Sequence, residues 1–169
     1  MIAVLQSIAS TLAAMSPLIT VNPDEQGVRV RCGKVRGTLL PGLYWKWPVL
    51  DAIITQSVVD TIADLNTQSL TTADMRSVCL SGRLRYRIVD VAKAHFAVYD
   101  IDEALIEECE AAVAGAVMDR TLEQAADRED VEEEILEGIQ ESVRAWGVRV
   151  EEFSITNFVP CRTMRLLQD

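Results

Sequence analysis

The stretch MRSVCLSGRLRYRIVD, residues 75–90, constrains the fold more than any other part of the chain. Val78, Leu80, Leu84, Tyr86 and Ile88 fall on one parity and Arg83, Arg85 and Arg87 on the other. Successive side chains of a strand point to opposite faces, so a period of two predicts a long strand with one dry face and one face of arginines. The arginine row has two readings. It binds anionic lipid or nucleic acid, or it is a solvated sheet face cross-paired with carboxylates of this chain or a neighbour.

Shorter strand signals precede it. Val28, Val30 and Cys32 alternate with Arg29 and Arg31, with Gly33, Gly37 and Pro41-Gly42 as turn punctuation. Residues 49–70 are rich in Ile, Val and Thr, broken by Asp51, Asp60 and Asp64. Helical spacing follows. Asp90 caps a short helix through Phe96, and Asp100 opens a longer one along Ile101, Leu105, Cys109, Ala112, Val113, Ala116 and Val117. Thr121-Leu-Glu-Gln124 reads as a capping box, and Asp127 as the cap of a helix carrying Val131, Ile135, Ile139 and Val143. That helix stops at Trp146-Gly147, where a left-handed residue is wanted. In the last strand Val148 and Val150 sit on one parity and Phe153 and Ile155 on the other, which predicts a bulge near Glu151 and Glu152. Strands, then helices, then one strand make an α+β fold with antiparallel-rich strands in the first half.

Composition narrows the function classes. The formal net charge of −10 opposes general phosphate-backbone binding, so nucleic acid is not an expected partner. The charge is uneven: residues 22–48 carry five basic and two acidic groups, residues 103–141 fourteen acidic and two basic. Cys32, Cys79, Cys109 and Cys161 show no CxxC pair, so no structural zinc spacing is present, and they read as reduced thiols in a cytosol-facing protein. His95, the single histidine, has no GxSxG or HExxH arrangement beside it. Neither catalysis nor a cofactor is expected.

Two segments point to a membrane. Residues 1–23 carry no charged side chain, and Ile2, Leu5, Ile8, Leu12 and Met15 line one side of an amphipathic helix whose other side holds Gln6, Ser7, Ser10 and Thr11. Six of the twenty residues from Ile2 to Val21 are Gln, Ser or Thr, whereas a spanning helix needs about 20 predominantly apolar residues. Interfacial attachment, a core or oligomer-packing helix and a true span all stay open. The second segment is PGLYWKWP, residues 41–48. Indole and phenol rings favour the headgroup layer, being apolar with one wet polar atom, and a lysine extends its ammonium outward. Tyr44, Trp45, Lys46 and Trp47 therefore read as an interfacial anchor, with burial of both indoles under the turn as the alternative.

An ordered series of segments resembles the SPFH or Band 7 domain of stomatins, prohibitins, flotillins and the HflK/HflC pair. It runs from Pro23-x-Glu25-x-Gly27-Val28 and Gly33-Lys34 through Pro41-Gly42-Leu43-Tyr44-Trp45 with Pro48. It continues with Leu70-Thr71-Thr72-Ala73-Asp74, Gly82-x-Leu84-x-Tyr86-Arg87-Ile88 and Asp127-Arg128-Glu129, and ends at Trp146-Gly147-Val148-x-Val150-x-x-Phe153-x-Ile155. The expected organisation is a membrane-associating segment at 1–21, the SPFH domain at 22–159 and a short tail at 160–169 without the long coiled coil usual in such proteins.

The resemblance implies a non-enzymatic scaffold, membrane-associated and cytosol-facing, that self-associates and organises lipid or restrains partner membrane proteins. Its expected partners are membrane lipid, copies of itself or other SPFH chains, and a membrane protease or channel. The alternative is a minimal module that joins or caps assemblies of longer relatives and modulates their protease or channel. The arginine row Arg83, Arg85 and Arg87 and the acidic helix residues Glu132, Glu133 and Glu134 are the expected contacts between subunits or partners.

Overall fold

The structure is a computed structural model describing residues 17–161. These residues divide between Val59 and Asp60 into two units. The first has five strands: β1 (Leu18–Val21), β2 (Glu25–Arg31), β3 (Lys34–Leu39), β4 (Gly42–Trp45) and β5 (Asp51–Ser57). β1 and β4 form an antiparallel pair, and β2 lies between β3 and β5 in a second antiparallel sheet. Val21 and Val28 are its most buried large side chains.

The β2–β3 hairpin corrects one expectation. Arg31 pairs with Lys34, so only Cys32 and Gly33 remain to reverse the chain, and both take positive φ, 50° and 76°. Two such residues make the tight turn whose twist matches its flanking strands. Cys32 is therefore exposed in the turn and does not share the strand face of Val28 and Val30.

The second unit is built on the alternating stretch. It contains β6 (Thr61–Asp64), β7 (Gln68–Thr71), β8 (Ser77–Ile88), α1 (Val91–Ala97), α2 (Ile101–Met118), α3 (Leu122–Ala125), α4 (Arg128–Val143), a 3₁₀ turn (Arg144–Trp146) and β9 (Val148–Cys161). β6 and β7 lie along one edge of β8 and β9 along the other, all antiparallel. The predicted dry face is dry: Val78, Leu80, Leu84, Tyr86 and Ile88 are buried. Against this unit's core pack the helical stripes read from the sequence, Ile101, Leu105, Cys109, Val113, Ala116 and Val117 on α2, and Val131, Ile135, Ile139 and Val143 on α4.

The expected bulge is present. Arg85 pairs with Glu152 and Tyr86 with Val150, which leaves Glu151 as the extra residue and lets Val148, Val150, Phe153 and Ile155 all reach the core. A second bulge at Thr156, between the Ser81–Asn157 and Gly82–Ile155 pairs, is not signalled by parity in the sequence.

Caps hold the helices. Asp90 accepts the N–H of Lys93, and Asp100 accepts those of Asp102 and Glu103. Thr121 and Gln124 form the reciprocal capping box. Asp127 occupies the cap position of α4, but its side chain makes no capping bond, contrary to expectation. The Leu70–Asp74 string acts as a latch: the Thr72 hydroxyl donates to Asp74 Oδ1 at 2.5 Å, Asp74 accepts the Leu122 N–H at 3.2 Å, and the Ala73 N–H donates to the Arg120 carbonyl at 2.8 Å.

Gly82 shows why the strand's glycine cannot grow a side chain. A Cβ there would lie 2.9 Å from the Phe153 ring and 3.2 Å from the Ser154 carbonyl oxygen. Gly82→Ala is expected to destabilise this unit by about 1–3 kcal/mol through overpacking. A double-mutant cycle with Phe153→Leu checks the cause: the smaller side chain should recover much of the loss, and strictly additive effects would refute it.

Candidate membrane interface

The PGLYWKWP segment folds as β4 and the turn after it. β1 pairs with it in the register Leu18–Trp45, Ile19–Tyr44, Thr20–Leu43 and Val21–Gly42. Exposure alternates along this stretch. Leu43, Trp45 and Trp47 are 65%, 58% and 56% exposed, whereas Tyr44 and Lys46 between them are half-buried. The alternative that both indoles sit in the core does not hold in this fold. The usual polarity of a half-buried strand is inverted here, with the large apolar groups on the wet side.

The turn extends the same surface. The Trp47 carbonyl accepts the N–H groups of Leu50 and Asp51 at 3.1 and 2.8 Å, closing a turn that leaves Val49 91% exposed at its tip. Within residues 40–50, six large apolar side chains are exposed: Leu40, Leu43, Trp45, Trp47, Val49 and Leu50. Leu18, opposite Trp45, adds a seventh. The sequence reading missed Leu18, Leu40, Leu43, Val49 and Leu50. The signal available was the period of two from Leu43 to Trp47, carried on by an apolar pair after Pro48.

Two arginines brace this platform from beneath. Arg31 makes a two-pronged bond to Asp51, Nε to Oδ1 at 2.5 Å and Nη2 to Oδ2 at 2.8 Å. Asp51 Oδ2 also accepts the Trp47 N–H at 3.2 Å, and Arg29 Nη2 donates to the Trp45 carbonyl at 2.9 Å. The Lys46 N–H donates to the Pro17 carbonyl at 2.6 Å. These are structural bonds, so the basic charge of residues 22–48 is partly committed: Arg31 is neutralised and Arg29 is tied to the backbone. Lys34 and Arg36 on β3 remain exposed. Tyr44 is set apart from the indoles, its hydroxyl donating to the Leu40 carbonyl at 2.8 Å.

The Arg31 guanidinium and the Trp47 N–H hold the Asp51 carboxyl down to about 2, against the opposing effect of burial. A carboxyl whose folded value lies below its unfolded one stabilises the fold above the unfolded value, and that contribution is lost as pH falls through the folded one. Asp51→Asn is therefore expected to melt lower than wild type at about pH 5, with the difference closing between about pH 4 and pH 2. Thermal melts across that range check it. A constant difference would separate Asp51 from the acid sensitivity.

The remaining expected site residues fall elsewhere. Ile2, Leu5, Ile8, Leu12 and Met15 lie outside the described residues. In the second unit each arginine of the row faces a carboxylate of its own sheet: Arg83 with Asp64 at 2.8 Å, Arg85 with Glu152 at 3.2 Å and Arg87 with Glu151 at 3.4 Å. This is the cross-paired reading of the row. Glu132 accepts the Ile155 N–H at 2.6 Å and Glu134 pairs with Arg120, while Glu133 is exposed. The three glutamates are thus not brought together as one contact surface. His95 is exposed and packs edge-on to Phe96, and burial pushes the Cys109 thiol up to about 12. Among the described residues no helix is long and apolar enough to cross a membrane.

Antiparallel strands first, then helices and one final strand make this an α+β domain. More particularly, it belongs to the SPFH domain / Band 7 family, whose model matches residues 19–165. It is similar to an uncharacterised protein of Methanocaldococcus jannaschii, 28% identical over 144 residues, which cover 85% of this chain and 72% of that protein. It is also similar to human stomatin-like protein 2, mitochondrial, 28% identical over 163 residues, 95% of this chain and 46% of the relative. An uncharacterised Archaeoglobus fulgidus protein is 26% identical over 149 residues, 88% of this chain and 60% of its own length. The chain thus spans less than half of the stomatin-like relative.

Proposed function

We propose that this chain is a non-enzymatic, membrane-associated scaffold whose first unit lies on a lipid surface and whose copies associate with one another. The observation that carries this reading is the platform of Leu43, Trp45, Trp47, Val49 and Leu50, apolar on its wet side and held in place by Arg29, Arg31 and Asp51. Large apolar patches on the outside of a protein mark sites of contact with other proteins or membranes. Indoles with nearby lysine and arginine match the boundary between acyl chains and headgroups. The similarity to a stomatin-like protein agrees with this reading.

Charge supports the self-association. Residues 17–59 carry five basic and three acidic side chains, residues 60–161 nine basic and twenty-two acidic, so opposite units of two copies attract. The paired arginine row takes little part in that attraction, which rests on Lys34, Arg36 and the outward carboxylates of α2 and α4. A partner protease or channel, or assembly with longer relatives, fits the same surfaces.

Co-flotation with phospholipid vesicles tests the first half: the protein is expected to rise with the vesicles, and protein left in the bottom fraction would remove the membrane reading. Light scattering tests the second half. Assemblies held by charge should shrink as salt rises from about 0.05 to 0.5 M, and a monomer at both would refute self-association.

A further inference from the structure

Cys79 on β8 and Cys161 on β9 occupy neighbouring rows of one antiparallel ladder: Cys79 faces Val159, and Cys161 faces Ser77. The offset is two residues, so both side chains stand on the same side of the sheet, the side of the arginine row. Neither is buried, and the Cys161 thiol donates to the Val159 carbonyl at 3.5 Å. The neighbouring Cys79 thiol, ahead of partial burial, raises the Cys161 thiol above its ordinary value. The other cysteines have no such neighbour in the fold. Cys109 is buried within α2, and Cys32 sits in the β2–β3 turn of the other unit.

We propose that Cys79 and Cys161 form a reversible intrachain disulfide, made by a peroxide and undone by a thiol reductant. One thiolate attacks the peroxide O–O bond, becomes a sulfenic acid and releases water after protonation. The second sulfur then attacks the sulfenic sulfur, forming the S–S bond and releasing a second water. Two electrons pass from the sulfurs to the peroxide, and two thiols plus hydrogen peroxide give one disulfide and two waters.

Diagonal neighbours on a ladder stand about 7–8 Å apart at Cα, just beyond the roughly 4.4–6.8 Å of ordinary disulfides. Closing the bridge draws one strand end inward by about 1 Å. Cys161 suits that movement, because it is the last residue of β9 and, among the described residues, this strand pairs on one side only. The bridge would clamp the end of β9 to β8 and fix where the following chain leaves the sheet.

The arrangement makes a distinctive peptide prediction. Trypsin cuts after Arg76, Arg83, Arg149 and Arg162, placing Cys79 in peptide 77–83 and Cys161 in peptide 150–162. The whole protein is treated with hydrogen peroxide at about 1 mM, its remaining thiols are alkylated, and the digest is read by mass spectrometry without reduction. The expected result is peptide 77–83 joined to peptide 150–162, present in Cys32→Ser, absent in Cys79→Ser and separated by dithiothreitol. The oxidised protein should also melt higher than the reduced one. Unjoined peptides bearing sulfinic acid or alkyl groups would overturn the proposal in the wild-type protein, with no variant needed. So would a link that crosses between isotope-labelled and unlabelled chains.

Discussion

Replacing both indoles, Trp45→Ala with Trp47→Ala, is expected to weaken partitioning onto phospholipid vesicles by roughly 10- to 150-fold. Each ring is a little over half exposed, so about half of its apolar surface remains to be removed from water. Full burial of a large apolar side chain stabilises by about 1.5–3 kcal/mol, so the two half-exposed rings together contribute about 1.5–3 kcal/mol. At 1.4 kcal/mol for each factor of ten, that is the stated loss. Since neither ring fills the core, the variant should melt close to wild type.

The comparison needs a control for general stickiness. Phe96 and Tyr99 are also exposed, 57% and 107%, but belong to the second unit. Phe96→Ala with Tyr99→Ala removes similar apolar area, so unchanged partitioning there and a large loss in the indole variant would place the contact on the platform. Equal losses in both would mean indiscriminate adsorption. Tyr44→Phe makes a finer distinction: its hydroxyl binds the Leu40 carbonyl, so its loss should cost some stability of the first unit and leave vesicle binding unchanged.

Sequence reading succeeded where burial enforces a period. A strand with one covered face must alternate, and a helix packed on a sheet must repeat its apolar residues every three or four, so β8, α2 and α4 were legible with their core residues. The Glu151 bulge was legible for the same reason. Val150 and Phe153 are on opposite parities, both are buried, and only an inserted residue reconciles them.

What escaped depends on register. Arg31 meets Asp51 and Arg83 meets Asp64 because β2–β5 and β8–β6 align those rows, and nothing local in the sequence states that alignment. Arg29 and Arg31 therefore show in the sequence only as the polar parity of a strand, when they are braces. The platform was ambiguous for a different reason. Parity places Trp45 and Trp47 together but is silent on which side is wet, and here the wet side is the more apolar one. Cys32 was misplaced because a two-residue turn is fixed by the pairing of Arg31 with Lys34, while its own residue type favours a strand.

Gly147→Ala is expected to be the most destabilising single methyl addition at a surface turn of the second unit, costing about 3 kcal/mol or more. Two independent penalties meet there. Gly147 has φ 72° and ψ 24°, left-handed values that cost a residue with a Cβ about 1–2 kcal/mol. The added Cβ would then lie 2.8 Å from the Asp90 carbonyl oxygen and 2.9 Å from the Cβ atoms of Asp90 and Lys93, an overlap worth about 1–3 kcal/mol. Neither neighbour yields easily. Asp90 caps α1, and the Gly147 carbonyl accepts the Val89 and Asp90 N–H groups at 2.9 and 3.0 Å, so relief of the contact pulls apart the junction between β8, α1 and β9. Gly33 supplies the matched comparison, with φ 76° and no atom within 4 Å of an added Cβ. Gly33→Ala should cost only the conformational part, about 1–2 kcal/mol. Thermal melts of the two variants, followed by hydrogen exchange at Val89 and Asp90, separate the two penalties. Equal losses would mean that backbone conformation alone sets the cost and that the close approach to Asp90 is without energetic consequence.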